Sequence, residues 1–220
     1  MGDTMTVDLV VITDGRGDYL EQAIDSAREH LDYRFTQRIM VDDSGEPRYT
    51  AWLREQYPEF KVLAHPQRRG LAAAVQTGWQ ATSAEYVFHL EEDFTFNQHV
   101  DIEAMRTVLR GSSCLAQVVL KRQAWSREEK AAGGIVEMHP NQYVERRIAG
   151  HVVTAHRRIF SLNPCLIPRD VIDIGWPASN EAGFTAACLV DGWEFAFIGA
   201  RFDPPVVTHI GERRTVGWTL

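Results

Sequence analysis

The sequence predicts an α/β fold: a single domain built on a mostly parallel, Rossmann-like sheet flanked by helices. Three observations point there. Apolar β-branched runs such as "VDLVVIT" (Val7–Thr13) are continuous, as strands buried on both faces are. They alternate with stretches of helical spacing, which implies right-handed crossovers between parallel strands. Several of the strands end in polar residues, on the edge where such sheets bind ligands.

The first strand is broken by "DGRGD", after which Leu20, Ala23, Ile24, Ala27 and Leu31 share one helical face. "QRIMVDDSG" is a strand that runs into Asp42 and Asp43 and stops at a glycine. The helix "PRYTAWLREQY" opens on Pro47, whose fixed φ suits a first helical turn. "FKVLAH" gives a third strand, "GLAAAVQTGWQAT" an alanine-rich helix, and "EYVFHL" a fourth strand that delivers Glu91, Glu92 and Asp93. Residues 121–158 carry Gly133-Gly134 and His139-Pro140 and read as a long, irregular, mobile excursion. Beyond Arg157, "RRIFSLNPCLIP" reads as a strand and "RDVIDIG" as a short helix. "SNEAGFTAACLVDG" reads as a helix capped by Ser179 or Asn180. "WEFAFIG" and "PPVVTHIG" close the chain as strands, the last leaving His209 at a strand end.

A length of 220 residues suits one domain with a sizeable core. The net charge of -7 argues against a general nucleic-acid binder, yet residues 111–160 hold eight basic side chains against four acidic ones. Cys114, Cys165 and Cys188 fit neither a zinc knuckle nor a disulfide framework, so a cytoplasmic setting is expected. No apolar run is long enough to span a bilayer, so no transmembrane segment is expected, and a strand starting near Val7 leaves no room for a signal peptide. "MGDTMT" matches a myristoylation pattern formally; the acid after Gly2 marks it as coincidence.

Three adjacent carboxylates at the end of a buried strand repel one another and are costly to desolvate unless a cation compensates them. Mg²⁺ and Mn²⁺ take oxygen ligands and commonly combine one or two protein carboxylates with substrate phosphates. A metal-assisted site is the functional reading of Glu91-Glu92-Asp93, and a solvated acidic turn is the plain alternative. The plain alternative for His209 is a strand-end histidine, and for Glu181 a helix-capping acid. His89, inside an apolar strand, is read as structural.

In their order, "VVITDGRGDYLEQAIDSA", "IMVDDSGEP", "RRGLAAAVQTGWQATSAEYVFHLEEDF" and "NEAGFTAACLVDGWEFAFIG" followed by "VVTHIG" resemble the GT-A fold glycosyltransferases, family 2 in particular. The resemblance covers most of the chain outside the irregular middle. It implies an enzyme, dependent on Mn²⁺ or Mg²⁺, that moves a sugar from a nucleotide-diphosphate donor to an acceptor hydroxyl. It matches Thr13, Asp14, Arg16, Asp42 and Asp43 to the residues holding the donor's base and ribose. Glu91-Glu92-Asp93 matches the family's Asp-x-Asp motif, with Asp93 as metal ligand, and His209 matches a histidine that touches the metal or diphosphate. Glu181, at the start of the late helix, matches the catalytic base, with Asp191 as its fallback. Residues 1–110 would form the nucleotide-sugar half and 111–220 the acceptor half. There are three departures: Arg68, Val75-Gln76 and Glu91 stand where the family often has Asn, Arg-Asn and Asp; related folds use either acid at the last, and the loop changes leave the nucleotide unassigned.

The implied mechanism follows from charge. Breaking the nucleotide–sugar bond leaves negative charge on the diphosphate, which a dication and Arg68, Arg69 or Arg213-Arg214 would stabilise. Glu181 would take the acceptor's proton as its oxygen attacks the anomeric carbon from the opposite face, giving inversion. Trp125, Trp176, Trp193 and Trp218 suit sugar stacking or ordinary packing. "GERRTVGW" reads as a lid over the diphosphate or a frayed tail. Arg146, Arg147, Arg157 and Arg158 suggest an anionic acceptor (an acidic glycan, a lipid phosphate, a protein or a modified DNA base) against the default of a solvated face. A nucleotidyltransferase and a non-catalytic sugar-nucleotide or glycan-binding module stay open, the former weakened because "TDGRGDYL" is a poor triphosphate loop. A dinucleotide-dependent oxidoreductase is weaker still without G-x-G-x-x-G after the first strand.

Overall fold

The computed structural model of the chain describes residues 6–176 and 180–211. Its first part alternates as the sequence pattern requires: β1 (Val7–Thr13), α1 (Gly17–His30), β2 (Arg38–Asp42), α2 (Pro47–Gln56), β3 (Lys61–Ala64), α3 (Leu71–Gln80) and β4 (Tyr86–Glu91). There follow β5 (Phe94–Phe96), α4 (Ile102–Arg110), β6 (Leu115–Val119), α5 (Arg127–Ala132), α6 (Ile135–Met138), β7 (Tyr143–Ile148) and β8 (His151–His156). The rest comprises β9 (Cys165–Pro168), α7 (Arg169–Ile174), α8 (Glu181–Val190), β10 (Glu194–Ile198) and β11 (Val207–His209).

Among the described residues a central sheet runs in the order β3-β2-β1-β4-β9-β6-β10-β8-β7, beside a small sheet of β5 and β11. Strands β3, β2, β1 and β4 are mutually parallel, the Rossmann-like half of the expectation. The other half is mixed. β9 enters antiparallel between β4 and β6, and β8 runs antiparallel to both β10 and β7.

The core explains why the early strands read as continuous apolar runs. Along β1, Val7, Leu9 and Val11 pack on one face with Leu20 and Ile24 of α1, Leu53 of α2 and Met105 of α4. Val10 and Ile12 pack on the other with Val75 and Trp79 of α3, Val171 of α7 and Phe184 of α8. Successive side chains alternate between faces, and both faces are covered by helices, so both must be apolar. Where α3 crosses the sheet, a Cβ on Gly78 would lie 2.6 Å from Val10 Cγ1, so only glycine permits that approach.

Two expectations are corrected. The stretch 121–158 is no irregular excursion: it folds into α5, α6 and the β7–β8 hairpin, which extends the main sheet. Its Gly133 ends α5 in the left-handed conformation at φ 95°, and Ser126 caps the start by accepting from the Glu129 N–H at 3.0 Å. His209 ends not a core strand but β11, which pairs antiparallel with β5 so that His209 faces Phe94. That small sheet folds the late chain back onto the acidic turn.

Candidate active site

The acidic triplet straddles a turn. Glu91 is the last residue of β4, Glu92 and Asp93 form the turn, and β5 follows at once. The Glu92 N–H bonds to the Ile12 carbonyl at 3.0 Å, which locks the turn to the end of β1. Glu92 itself points inward. Its carboxylate accepts from the Thr13 hydroxyl, from the Asp14 N–H at 3.3 Å and from Arg16 Nε at 2.7 Å. Arg16 also reaches Asp14 Oδ1 at 3.0 Å and Asp93 Oδ2 at 3.0 Å, so one guanidinium bridges three carboxyl groups at the rim. Thr13 is steadied by the Tyr49 hydroxyl at 2.7 Å.

Asp93 is buried beside this knot. Its Oδ2 meets His209 Nε2 at 3.4 Å and Arg16, while its buried Oδ1 has no hydrogen-bond partner among the described residues. Burial alone would lift this carboxyl, but His209 and Arg16 prevail and hold it below the usual carboxylate range. The Ile210 N–H bonds the Asp93 carbonyl at 2.8 Å, and a Cβ on Gly211 would lie 2.2 Å from Asp93 Oδ2, so any larger residue there must displace the Asp93 side chain. Among the described residues no trio of His, Cys, Asp or Glu forms a protein-only metal cage. The orphaned Asp93 oxygen beside His209 fits a dication that takes its remaining ligands from phosphate oxygens.

Asp42 and Asp43 are turned into the protein. Asp42 accepts from the Ser44 N–H at 2.9 Å and the Thr50 hydroxyl at 2.5 Å. Asp43 accepts from the N–H groups of Arg69 and Gly70 at 2.9 and 2.8 Å and contacts His65 Nδ1 at 2.6 Å. Both are fully buried. They shape the loops after β2 and β3 rather than offer free carboxylates to a ribose, and Arg69 enters this network through its backbone. Arg68 bonds the Asp14 carbonyl at 2.8 Å, tying that loop to the one after β1.

Next to the rim lies a pocket of about 330 Å³, whose lining includes Glu91, Phe94, Trp125, Glu181 and His209. Glu181 is the first residue of α8, held by the Asn180 cap whose side chain accepts from the Gly183 N–H at 3.0 Å. Its carboxylate accepts from the Leu162 N–H at 2.6 Å. Burial pushes the Glu181 carboxyl up, against the opposing pull of Leu162 and Arg122. Glu91 is pushed well above the usual range, first by burial and then by Asp93 and Glu181. Glu91 and Glu181 line this pocket with His209, which meets Asp93 at 3.4 Å.

The structure thus gathers Thr13, Asp14, Arg16, Glu91, Glu92, Asp93, Glu181 and His209 at one edge. It does not gather Asp191, which is exposed and caps the far end of α8, ten residues from Glu181. Trp125 lies in the pocket with its ring 4.1 Å from that of His209, whereas Trp176 packs in the core against Trp79 and Phe184. Ser179, Arg213, Arg214 and Trp218 lie outside the described residues. Sequence reasoning missed Tyr49, His65 and Gln123. Gln123 brackets the His209 backbone with two 2.9 Å bonds. No local pattern marks a glutamine whose partner is 86 residues away.

The comparisons with known proteins agree with this fold. No curated protein sequence matches the chain. In fold it is similar to a crystal structure of GalNAc-T7 with UDP, GalNAc and Mn²⁺, at TM-score 0.62 and 13% identity over 99% of this chain. It is also similar to the mannosyltransferase PcManGT from Pyrobaculum calidifontis in complex with GDP-Man and Mn²⁺, at TM-score 0.59 and 16% identity over 96% of this chain. The chain spans 46% and 59% of those two chains. Residues 8–162 match the model of the family described as glycosyl transferase family 2, and the chain belongs to that family.

Proposed function

We propose that the protein transfers a glycosyl unit from a nucleotide-diphosphate sugar to an acceptor hydroxyl, with inversion and with Mn²⁺ or Mg²⁺ as cofactor. The observation that carries this reading is that His209, which meets the buried Asp93 at 3.4 Å, shares one pocket with Glu181 at the carboxyl edge of the parallel strands. Asp93 and His209 would hold the dication, which when bound supplies charge to stabilise the departing diphosphate.

The chain's own groups do the rest. Arg16 ties Glu92, Asp14 and one oxygen of Asp93 together, leaving the other Asp93 oxygen without a partner among the described residues. The loops shaped by Asp42 and Asp43 frame the side of the rim where the donor's nucleotide would lie. Glu181, beside the pocket and oriented by the Leu162 N–H, would accept the proton of the attacking hydroxyl. An acid lifted by burial is a stronger base than a solvated one, which suits that role.

The test is release of nucleoside diphosphate from UDP- and GDP-sugars, with and without Mn²⁺, with the product anomer read by NMR. Metal-dependent release that is lost in Glu181→Gln, with an inverted product, supports the reading. Donor binding with no release under any acceptor favours a binding module, and pyrophosphate release from a nucleoside triphosphate favours a nucleotidyltransferase.

A further inference from the structure

The β7–β8 hairpin supplies part of the pocket wall. Tyr143 and His156 are register partners across the hairpin, both line the pocket, and their rings lie 4.9 Å apart. Tyr143 is 8% exposed and His156 5%. Neither the Tyr143 hydroxyl nor His156 Nε2 has a hydrogen-bond partner among the described residues. A buried polar group left unpaired costs about 1–3 kcal/mol, so two side by side in a pocket call for an explanation.

The chemistry of the pair is defined by its surroundings. The Arg158 N–H donates to His156 Nδ1 at 3.3 Å, so in the neutral ring the proton sits on Nε2. Burial, with Arg158 assisting, pushes the His156 pKa down to about 4, which keeps the ring neutral. His156 therefore presents one fixed donor, and Tyr143 a hydroxyl that donates or accepts. The nearby walls are apolar, with Ile135, Ile159 and Phe197. The cations that line the pocket are committed elsewhere: Arg122 to Glu129 at 2.6 and 3.0 Å, and Lys121 to the Arg201 carbonyl at 2.9 Å. Glu91 and Glu181, both lifted by burial, line the same space. The lining thus offers an anion no uncommitted Lys or Arg. An uncharged sugar ring is suited, because its C–H face packs on apolar walls while its hydroxyl oxygens meet both orphaned groups.

Resting on the glycosyl-transfer reading, we propose that Tyr143 and His156 form a subsite for a neutral pyranose unit of the acceptor. His156 Nε2–H donates to a ring hydroxyl oxygen and the Tyr143 hydroxyl pairs with the same sugar. The basic side chains of 111–160 then do not define the acceptor at this pocket.

The probes are the methyl glycosides of glucose, galactose and mannose, set against methyl glucuronide and glucose 6-phosphate. Binding to the protein is read by saturation-transfer NMR without donor, and acceptor and donor KM by nucleoside-diphosphate release. At least one neutral glycoside is expected to bind in preference to the anionic probes. Tyr143→Phe and His156→Phe are each expected to weaken that glycoside about tenfold, with the change in acceptor KM and not in donor KM. Tyr143→Phe removes a hydroxyl with no internal partner, so it folds as the parent does. The proposal is overturned if no neutral glycoside binds, if an anionic probe binds better, if both variants leave affinity unchanged, or if donor KM moves instead. Should a neutral glycoside bind and weaken in Tyr143→Phe while no donor is ever turned over, the transfer reading fails and the sugar subsite stands.

Discussion

The Glu181 side chain carries opposite consequences for stability and for activity. Burial raises its folded-state pKa above the ordinary carboxylate value, so between those two values the native state holds a proton that the unfolded chain has lost. Stability therefore falls as pH rises through that window. Glu181→Gln is expected to raise Tm at neutral pH, an effect that vanishes below the ordinary carboxylate pKa, while transfer drops by about 10²–10⁴-fold. In the wild type the acid limb of kcat/KM should lie above that of a solvated glutamate. Loss of Tm at pH 7 in Glu181→Gln would show that the Leu162 contact, not charge burial, dominates this position. At Gly211, an added methyl must push Asp93 aside, so Gly211→Ala is expected to cut transfer by about 10²-fold; unchanged rates and Mn²⁺ requirement would contradict the close approach. At this scale the sequence was informative where chemistry was concentrated, as in three acids closing an apolar strand. It was silent on direction: nothing in "VDDSG" says that both aspartates face inward, because their donors come from Ser44, Thr50, His65, Arg69 and Gly70 across two loops.

Among the elements, α3 shows how closely helix and sheet approach. Gly78→Ala gains about 1 kcal/mol of helix propensity but places a Cβ 2.6 Å from Val10 Cγ1 and 3.1 Å from Val41 Cγ2. Overpacking of a filled core costs about 1–3 kcal/mol, so a net loss in the urea midpoint is expected. A gain would mean that the helix sits further off the sheet. The first four strands and three helices were legible because each is a local pattern of one period, bounded by Gly, Pro or paired acids. The β7–β8 hairpin was not. "YVERRI" and "HVVTAH" break the simple alternation: Val144 is exposed at 63%, and Arg146 is tied to Glu194 of β10 at 2.8 Å. Its two-residue turn at Ala149-Gly150, with φ of 47° and 90°, is a hairpin turn whose first position is usually Asn or Asp, so the usual dipeptide signal is missing. The elements α4 and β6 were passed over for another reason. Their apolar runs are short, and the α4 start rests on a single Asp101 cap accepting from the Ala104 N–H at 2.9 Å.

For the whole molecule, two chain segments far apart in sequence make one site. β5 and β11 pair across more than 100 residues and set His209 on Asp93, while β9 and the loop before it bring Leu162 to Glu181. Long-range pairing of this kind has no local signature, which is why the sequence placed His209 at the end of a core strand. On the glycosyl-transfer reading the donor contacts both segments, so ligand should stabilise the entire domain. At donor and Mn²⁺ concentrations 100-fold above Kd, about 2.7 kcal/mol of added stability is expected, seen as a rise in Tm that either component alone does not produce. Among the described residues no helix is long and apolar enough to cross a membrane. The most direct measurement is calorimetric titration of UDP and GDP into the wild type and Asp93→Asn, each with Mn²⁺ and with chelator. One diphosphate is expected to bind the wild type at least tenfold more tightly with Mn²⁺, a gain abolished by Asp93→Asn. Equal affinity with metal and with chelator, or a full Mn²⁺ gain in Asp93→Asn, would contradict a dication shared between Asp93 and the diphosphate.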